Sequence, residues 1–507
     1  CSMNIICIYS VEQPYSVNKP MKTAEEIPFG IASVLTSLEH AGHTMELLVF
    51  SSQSPVREML QTAIQNFKPD MLCLTAVSTQ YPLISRVARI ARELSPSLYI
   101  VMGGHHASLQ PEQSIINPDL NAICIGEGDF VVVELARQLS AVGQPSGIPG
   151  LWIKRGESRQ EIERNLPDRF NVNIDELPFI NRAHWSRWIQ NKHEMPSVLV
   201  GRGCPYRCTY CSNHAMQKLA KGKYVRFRAV DNVIAEIATI ETESHQVRDI
   251  YLEVETIGVY PDYCIELGEK LIAYNARRKI PLRFGANLAP SKRLFNRTEV
   301  MDQILSLFHQ AGIVFLNIGL ESGSERLRKE VLRRPEYTNE VLIDFSQRAR
   351  KHHININLFI LFGLPGETPK DYLETIQVAR ACRPHHVHLS IFFPYPGTDL
   401  YDLAVAQGLI DPDRFGIGGA ERLRPALKST TFPKHRVALE YVLFPLRCFR
   451  GVWPYSKIAY AMVRNAMAMN PRLFSVVRKL VFDNTITGGL LARLKSSPMI
   501  KRDELSR

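Results

Sequence analysis

The chain has 507 residues, of which 45% are hydrophobic, 22% charged and 9% aromatic. That balance excludes a disordered, collagen-like or coiled-coil protein, and the length suits about three domains. The formal charge of +11 is unevenly placed: 18 basic and 7 acidic residues lie from Asp411 to Arg507, whereas residues 1–410 carry 43 of each. A basic tail of this kind suits an anionic membrane surface, nucleic acid or an acidic substrate, or is simply a solvated helical face. No run of about 18 uninterrupted apolar residues occurs, so no transmembrane helix is expected. The N-terminus lacks the basic, apolar, small pattern of a secretion signal, and the expected compartment is the cytoplasm.

In chain order, apolar runs at Asn4–Ser10, Met45–Phe50, Met71–Ala76, Leu98–Met102 and Ala122–Gly126 read as buried parallel strands. Helical stretches separate them at Ile31–His40, Val56–Asn66, Leu83–Leu94 and Phe130–Leu139. The alternation predicts a Rossmann-like, doubly wound α/β domain over 3–145, with ligands beyond the strand C-termini. Two Gly-rich turns stand there, Gly103-Gly104-His105-His106 and Gly126-Glu127-Gly128-Asp129. Neither is G-x-G-x-x-G, so a nicotinamide cofactor is not indicated. Residues 146–190, with Pro149, Pro167 and Pro178, read as a linker able to add a strand or two.

A second αβ series follows over 191–410. Its strands are expected at Val198–Gly203, Asp249–Glu255, Leu282–Leu288, Phe315–Ser322, Asn355–Gly363 and Val387–Phe393. Helices fit between them at Ala229–Thr242, Tyr263–Ala276, Glu299–Ala311, Asn339–His352 and Asp371–Ala381. Six such units suit a partial TIM-like (β/α)6 barrel, with reactive groups at strand C-terminal ends. Residues 411–507 read as a basic, mostly helical region carrying Trp453, Tyr455, Tyr460, Met462, Met467, Met469, Phe474 and Phe482. It is expected to pack across the barrel mouth and help shape a pocket, with Trp453 and the methionines serving as core.

Seven of the ten cysteines are scattered, and the other three form one loop, Cys204-Pro-Tyr-Arg-Cys208-Thr-Tyr210-Cys211. Three thiolates at C-x3-C-x2-C can reach one metal centre. A structural zinc site completed by His214 is one reading. Structural zinc sites favour paired knuckles, however, and three cysteines fill three corners of a [4Fe–4S] cube, leaving one iron open for chemistry.

With Tyr210 before the last cysteine, the loop resembles the signature of the radical S-adenosylmethionine (SAM) enzymes. Three later segments resemble the same family: Gly319-Leu320-Glu321-Ser322-Gly323-Ser324, Phe362-Gly363-Leu364-Pro365-Gly366-Glu367-Thr368 and Phe393-Pro394-Tyr395-Pro396-Gly397-Thr398. The resemblance implies cluster ligation by Cys204, Cys208 and Cys211, and SAM contacts from Tyr210, Glu255, Glu321, Ser322, Gly366 and Tyr395. The family's acidic pair after the second strand is replaced by Glu253-Val254-Glu255-Thr256, so Glu255 is the closest match for the amine-binding residue, with Glu253 as the alternative.

The N-terminal domain is similar to the cobalamin-binding domain fused to one radical subgroup. That implies corrinoid contacts at Ser78, Thr79, Gln80, Gly103, Gly104, His106, Gly126, Glu127 and Gly128. The D-x-H-x-x-G motif is absent, so no histidine is expected below the cobalt. The expected activity is cobalamin-dependent radical methylation of an unactivated carbon of a natural-product or lipid-like small molecule, through a 5′-deoxyadenosyl radical and methylcobalamin. The alternative is a radical oxidative cyclisation, dehydrogenation or rearrangement without methyl transfer. Three cofactors are implied: a [4Fe–4S] cluster, SAM and cobalamin. The resemblance further implies a monomer reduced by an external flavodoxin- or ferredoxin-like donor, with no nucleic acid, while the basic, aromatic C-terminal region suits peripheral membrane contact. It singles out no catalytic side chain. A non-catalytic zinc or nucleic-acid-binding protein is the contrasting class.

Overall fold

Runs such as Ile5-Ile6-Cys7-Ile8 and Met71-Leu72-Cys73-Leu74 are buried at every position, as strands covered on both faces must be. In the computed structural model, which describes residues 2–156, 161–255, 257–295, 297–411, 422–429 and 431–469, they form the centre of a seven-stranded sheet. Its spatial order is Thr44–Ser51, Asn4–Val11, Met71–Thr75, Tyr99–Gly103, Ala122–Cys124, Leu151–Lys154, Ile162–Arg164. The first five are parallel, and the last two join through antiparallel pairings. Both antiparallel strands come from the stretch expected as a linker. The helices Phe29–His40 and Val131–Val142 pack on one face, and Val56–Phe67 and Tyr81–Leu94 on the other.

The second sheet has six parallel strands in chain order: Ser197–Leu199, Asp249–Glu253, Arg283–Asn287, Ile313–Glu321, Asn355–Phe362 and His386–Ile391. The first and last do not pair, so the barrel is open at the side. Alternation assigns the faces. Ile250, Leu252, Phe284, Ala286, Leu316, Ile318, Leu358 and Ile360 pack outward into one core with the surrounding helices. The residues between them face the barrel interior.

The basic region divides in two. Residues 422–429, with 431 and 432, lie at the barrel mouth: Ile391 N–H donates to Arg422 O (2.8 Å) and Thr431 Oγ1 to Glu367 O (2.9 Å). The helix Lys434–Phe449 instead runs down the outer wall. Its Val437, Tyr441, Phe444 and Cys448, spaced along one face, join the barrel core. Tyr441 stacks near Phe362 (6.4 Å, 11°), and Trp453 lies flat on Phe449 (3.7 Å, 4°). Trp453, Met462 and Met469 are thus packing residues, while Phe474 and Phe482 lie outside the described residues.

This wall position makes the helix part of the barrel's stability. Tyr441→Ala should destabilise the barrel by about 3–5 kcal/mol in chemical denaturation. Tyr455→Ala, at a site 66% exposed, should change it by less than about 0.5 kcal/mol. Equal small effects would contradict the placement.

Candidate functional site

The C-terminal edges of the two parallel sheets face one another, and these are the edges that carry ligands in such sheets. Arg202, on the strand leading into the cysteine loop, donates to Asp129 (2.6 and 3.1 Å) in the turn after strand Ala122–Cys124. Arg226 is fully buried and grips Glu127 through both terminal nitrogens (2.9 and 2.6 Å). A Cβ on Gly397, in the turn after the sixth barrel strand, would meet Leu109 Cβ at 2.9 Å, so that turn packs directly on the N-terminal domain.

The cysteine loop begins at Gly203, whose φ is +86° and whose Cβ would strike Tyr224 O at 2.3 Å, so only glycine fits. Thr209 pins the loop by donating to Val331 O (2.6 Å), and Leu400 N–H donates to Thr209 O (2.8 Å). Burial pushes the Cys204 thiol up to about 12 and the Cys211 thiol up to about 11, with the Cys208 thiol adding to both rises. Cys208 is raised less, because Arg334 Nη1 lies 3.8 Å from its sulfur. His214, the residue a zinc site would need, faces Asp399 (3.4 Å). Among the described residues, no three His, Cys, Asp or Glu side chains converge on a single ion. Three neighbouring thiols beside a buried cation fit a larger, anionic centre.

Arg334 carries no motif, and the sequence reading missed it. It bonds Tyr210 OH (3.3 Å) and Gly319 O, and it lies against Glu321. Glu321 sits at φ +59°, a rare conformation for a non-glycine residue. Burial pushes its carboxyl up, while Arg334 and a hydrogen bond with Tyr210 pull the other way. A Cβ on Gly319 would fall 2.6 Å from Glu321 and 2.8 Å from Arg334, so the glycine makes room for the pair. Ser322 is turned away from this group: fully buried, its hydroxyl accepts from Ser324 N–H (3.2 Å) and lies 3.4 Å from Thr375 Oγ1. Gly323 packs on the backbone of Thr375 and Glu374. This part of the motif fastens the strand end to the helix Pro369–Cys382.

Around the mouth, Tyr224 OH donates to Asn213 Oδ1 (2.6 Å), and Asn213 Nδ2 donates to Glu255 (3.4 Å). Solvent reaches Glu255, yet protein surrounds it and pushes its carboxyl up. Glu253 lies one layer deeper and is pushed up to about 7 by burial and by Glu255 and Glu25. Gly366 has φ +69° and nothing within 4 Å of its Cβ position, leaving an open approach to that backbone. Buried Glu367 braces the same loop by accepting from Gly363 N–H and Leu364 N–H (2.5 and 2.9 Å). Tyr395 OH accepts from Arg422 Nε (2.9 Å).

On the N-terminal side, several side chains expected to touch a ligand hold their own loops instead. Ser78 Oγ meets His106 Nδ1 (3.3 Å), Thr79 bonds Glu12, and Gln80 Nε2 donates to Ser10 O (2.7 Å). His106 is buried against Tyr81 (4.0 Å between rings), and burial pushes it down to about 4. Gly104 is needed because Thr75 and Ala76 stand 2.7 Å from its Cβ position, while Gly103 makes ordinary contacts. Gly128 packs on Val34, and Gly126, at φ +84°, has only Pro167 near it. Glu127 is spent on Arg226 and Arg202. The loops that follow the strand ends nonetheless carry exposed apolar groups, Tyr15, Val17, Val77 and Phe130. Such a rim, with open glycine backbone beside it, fits a broad macrocycle such as a corrin.

The radical SAM superfamily model matches residues 198–379, and the B12 binding domain model matches residues 23–136. An uncharacterized methyltransferase of Pyrococcus horikoshii is 25% identical over 387 residues, spanning 76% of this chain and 79% of that protein. The anaerobic magnesium-protoporphyrin IX monomethyl ester cyclase of Rubrivivax gelatinosus is 25% identical over 394 residues, spanning 74% of this chain and 65% of that protein. The solved structure of the radical S-adenosylmethionine methyltransferase TsrM of Kitasatospora setae, with cobalamin and a [4Fe–4S] cluster bound, shares the fold. Its TM-score is 0.64 at 18% identity, covering 80% of this chain and 75% of that one.

The junction itself can be tested. Glu127→Ala leaves Arg226 buried and unpaired, and should cost about 3–5 kcal/mol in chemical denaturation. Limited proteolysis should also quicken near Asn171, whose carbonyl accepts from Arg226 (2.6 Å). Glu112→Ala, which breaks an exposed pair with Arg164, should cost less than about 1 kcal/mol. Indistinguishable variants would contradict the junction.

Proposed function

This chain belongs to the radical SAM enzymes that carry a cobalamin-binding domain, and from that premise we propose that it methylates an unactivated carbon of a small molecule. The observation that carries the reading is the apposition of the two ligand-bearing sheet edges, one with three cysteines and the other with an apolar, glycine-opened rim. Cys204, Cys208 and Cys211 would hold the [4Fe–4S] cluster. Tyr210, Glu255, Glu321, Gly366 and Tyr395 would contact SAM, with Ser322 supporting that strand end through its packing on Thr375. The turns at 77–80, 103–106 and 126–128 would hold the corrinoid. When bound, these groups supply reductive radical initiation and a methyl on a bond that breaks homolytically.

The chain's own residues do the rest. Arg334 sets a buried positive charge against Cys208 and so offsets the negative charge of a thiolate-held centre. Gly203 and Thr209 fix the loop that would hold the cluster. Glu255 and Glu321 present carboxylates suited to an ammonium and to ribose hydroxyls. The junction of Arg202 and Arg226 with Glu127 and Asp129 closes one flank of the space and limits the entry of water. A flavodoxin- or ferredoxin-like protein is the proposed electron donor, and the cytoplasm the proposed compartment, where thiols stay reduced.

A second reading, oxidative cyclisation without methyl transfer, is favoured by one observation: the cyclase of Rubrivivax gelatinosus is as similar as the methyltransferase of Pyrococcus horikoshii. Labelled methyl decides between them. Reconstituted enzyme given methyl-labelled SAM and a small-molecule extract of the source cells should form S-adenosylhomocysteine and one labelled product. Formation of 5′-deoxyadenosine with an unlabelled, oxidised product would establish the second reading instead.

A further inference from the structure

The interior of a (β/α) barrel is normally filled with layers of bulky, branched apolar side chains. Here one interior layer is polar on five consecutive strands. The strand registers align Asn287 with Asn317, Asn317 with Asn357, and Asn357 with His386. Leu252 pairs with Ala286, which puts Glu253 beside Asn287 in the same layer. Glu253, Asn287, Asn317, Asn357 and His386 therefore form a continuous polar course across strands two to six.

The course is only partly satisfied from within. Asn357 Nδ2 donates to Asn317 Oδ1 (3.0 Å), and Asn317 Nδ2 donates to Asn287 Oδ1 (3.2 Å) and to Tyr251 OH (2.9 Å). That ladder fixes the direction of each amide and leaves Asn357 Oδ1 buried without a hydrogen-bond partner. The Glu253 carboxyl and the His386 ring make no hydrogen bond among the described residues. A course built for stability would close on itself, because an unmet buried acceptor costs free energy.

The layers on either side frame this course within the barrel interior. Below it, the Phe315 ring lies over Gly285, where a Cβ would come within 2.0 Å, and stacks near Tyr251 (6.1 Å, 19°), sealing the barrel bottom. Above it, Gly319, Phe359 and His388 share a register, with Phe359 stacked on His388 (4.7 Å, 26°). Glu321 and the cysteine loop come next. A molecule standing on this course rises past the Phe359–His388 wall toward the strand ends proposed for SAM and the apposed edge.

We propose that the course Glu253–Asn287–Asn317–Asn357–His386 is the substrate floor, and that it selects a substrate bearing amide, hydroxyl or ammonium hydrogen-bond donors over a hydrocarbon. Asn357 is its positioning residue, accepting from the substrate through Oδ1. The inference rests on the methyl-transfer reading and narrows its substrate class.

The test uses the reconstituted full chain, methyl-labelled SAM, and the aqueous-methanol and hexane phases of a small-molecule extract of the source cells. The aqueous-methanol phase should yield the labelled product. Asn357→Leu should raise KM for that fraction roughly tenfold or more, with kcat changed far less and iron, sulfide and corrinoid content unchanged. Asn357→Ser, which keeps an acceptor, should recover most of the loss, and it serves as the measured variant if Asn357→Leu does not fold. Labelled product from the hexane phase alone, or an unchanged KM in Asn357→Leu, overturns the floor but leaves methyl transfer standing. Labelled product from neither phase overturns methyl transfer and the floor with it.

Discussion

The relative placement of the two sheets hangs on a buried cluster of charges. Arg226 is almost wholly removed from water, and Arg202 and Asp129 nearly so. Charges buried this deeply are tolerated only when paired and hydrogen-bonded in good geometry. Both arginines come from a short antiparallel pair, Gly201–Arg202 with Arg226–Phe227, that flanks the cysteine loop, and both acids from one turn of the N-terminal domain. The network accepts one register of one edge against the other, which an apolar contact of the same area would not enforce. It lies within two residues of Cys204, so the same bonds that join the domains also fix where the cysteine loop starts.

From that junction the rest of the site follows by strand geometry. Parallel strands deliver their following loops to one edge. The cysteine loop, the Glu321 turn and the Gly366 turn are therefore neighbours although they come from distant parts of the sequence. Local devices then sharpen each loop. Gly203 and Gly319 clear space that a Cβ would fill, Glu367 ties down its own turn, and Ser322 with Gly323 anchors a strand end to a helix. Arg334 reaches in from the segment between the fourth barrel strand and the next helix, touching Cys208, Tyr210 and the backbone at Gly319 together. A single cation thus links the loop that would hold the cluster to the strand that would hold SAM.

The strands and the cysteine loop were legible in the sequence because their signals are local: apolar runs bounded by turns, and three cysteines within eight positions. What could not be read depends on partners far away along the chain. Glu127 sits in a Gly-Glu-Gly turn that reads as a ligand loop, but its partner Arg226 is 99 positions on. Ser322 sits inside a motif, yet packing against Thr375 decides where its hydroxyl goes. Ser78 and Gln80 hold a turn that itself reaches the edge. The asparagine course was invisible because Asn287, Asn317 and Asn357 lie 30 and 40 positions apart along the chain, and only the register brings them side by side. The basic tail was read as one unit, whereas its Val437, Tyr441 and Phe444 spacing makes part of it barrel wall.

The proposed enzyme joins an iron–sulfur centre to a corrinoid across two apposed sheet edges. The most direct test is the metal, sulfide and corrinoid content of protein purified anaerobically after growth with cobalamin, read beside the visible spectrum. The account predicts four irons and four sulfides per chain together with stoichiometric corrinoid, and loss of the iron and sulfide, but not the corrinoid, in Cys208→Ala. Stoichiometric zinc without sulfide, or a full cluster with no corrinoid, would contradict it.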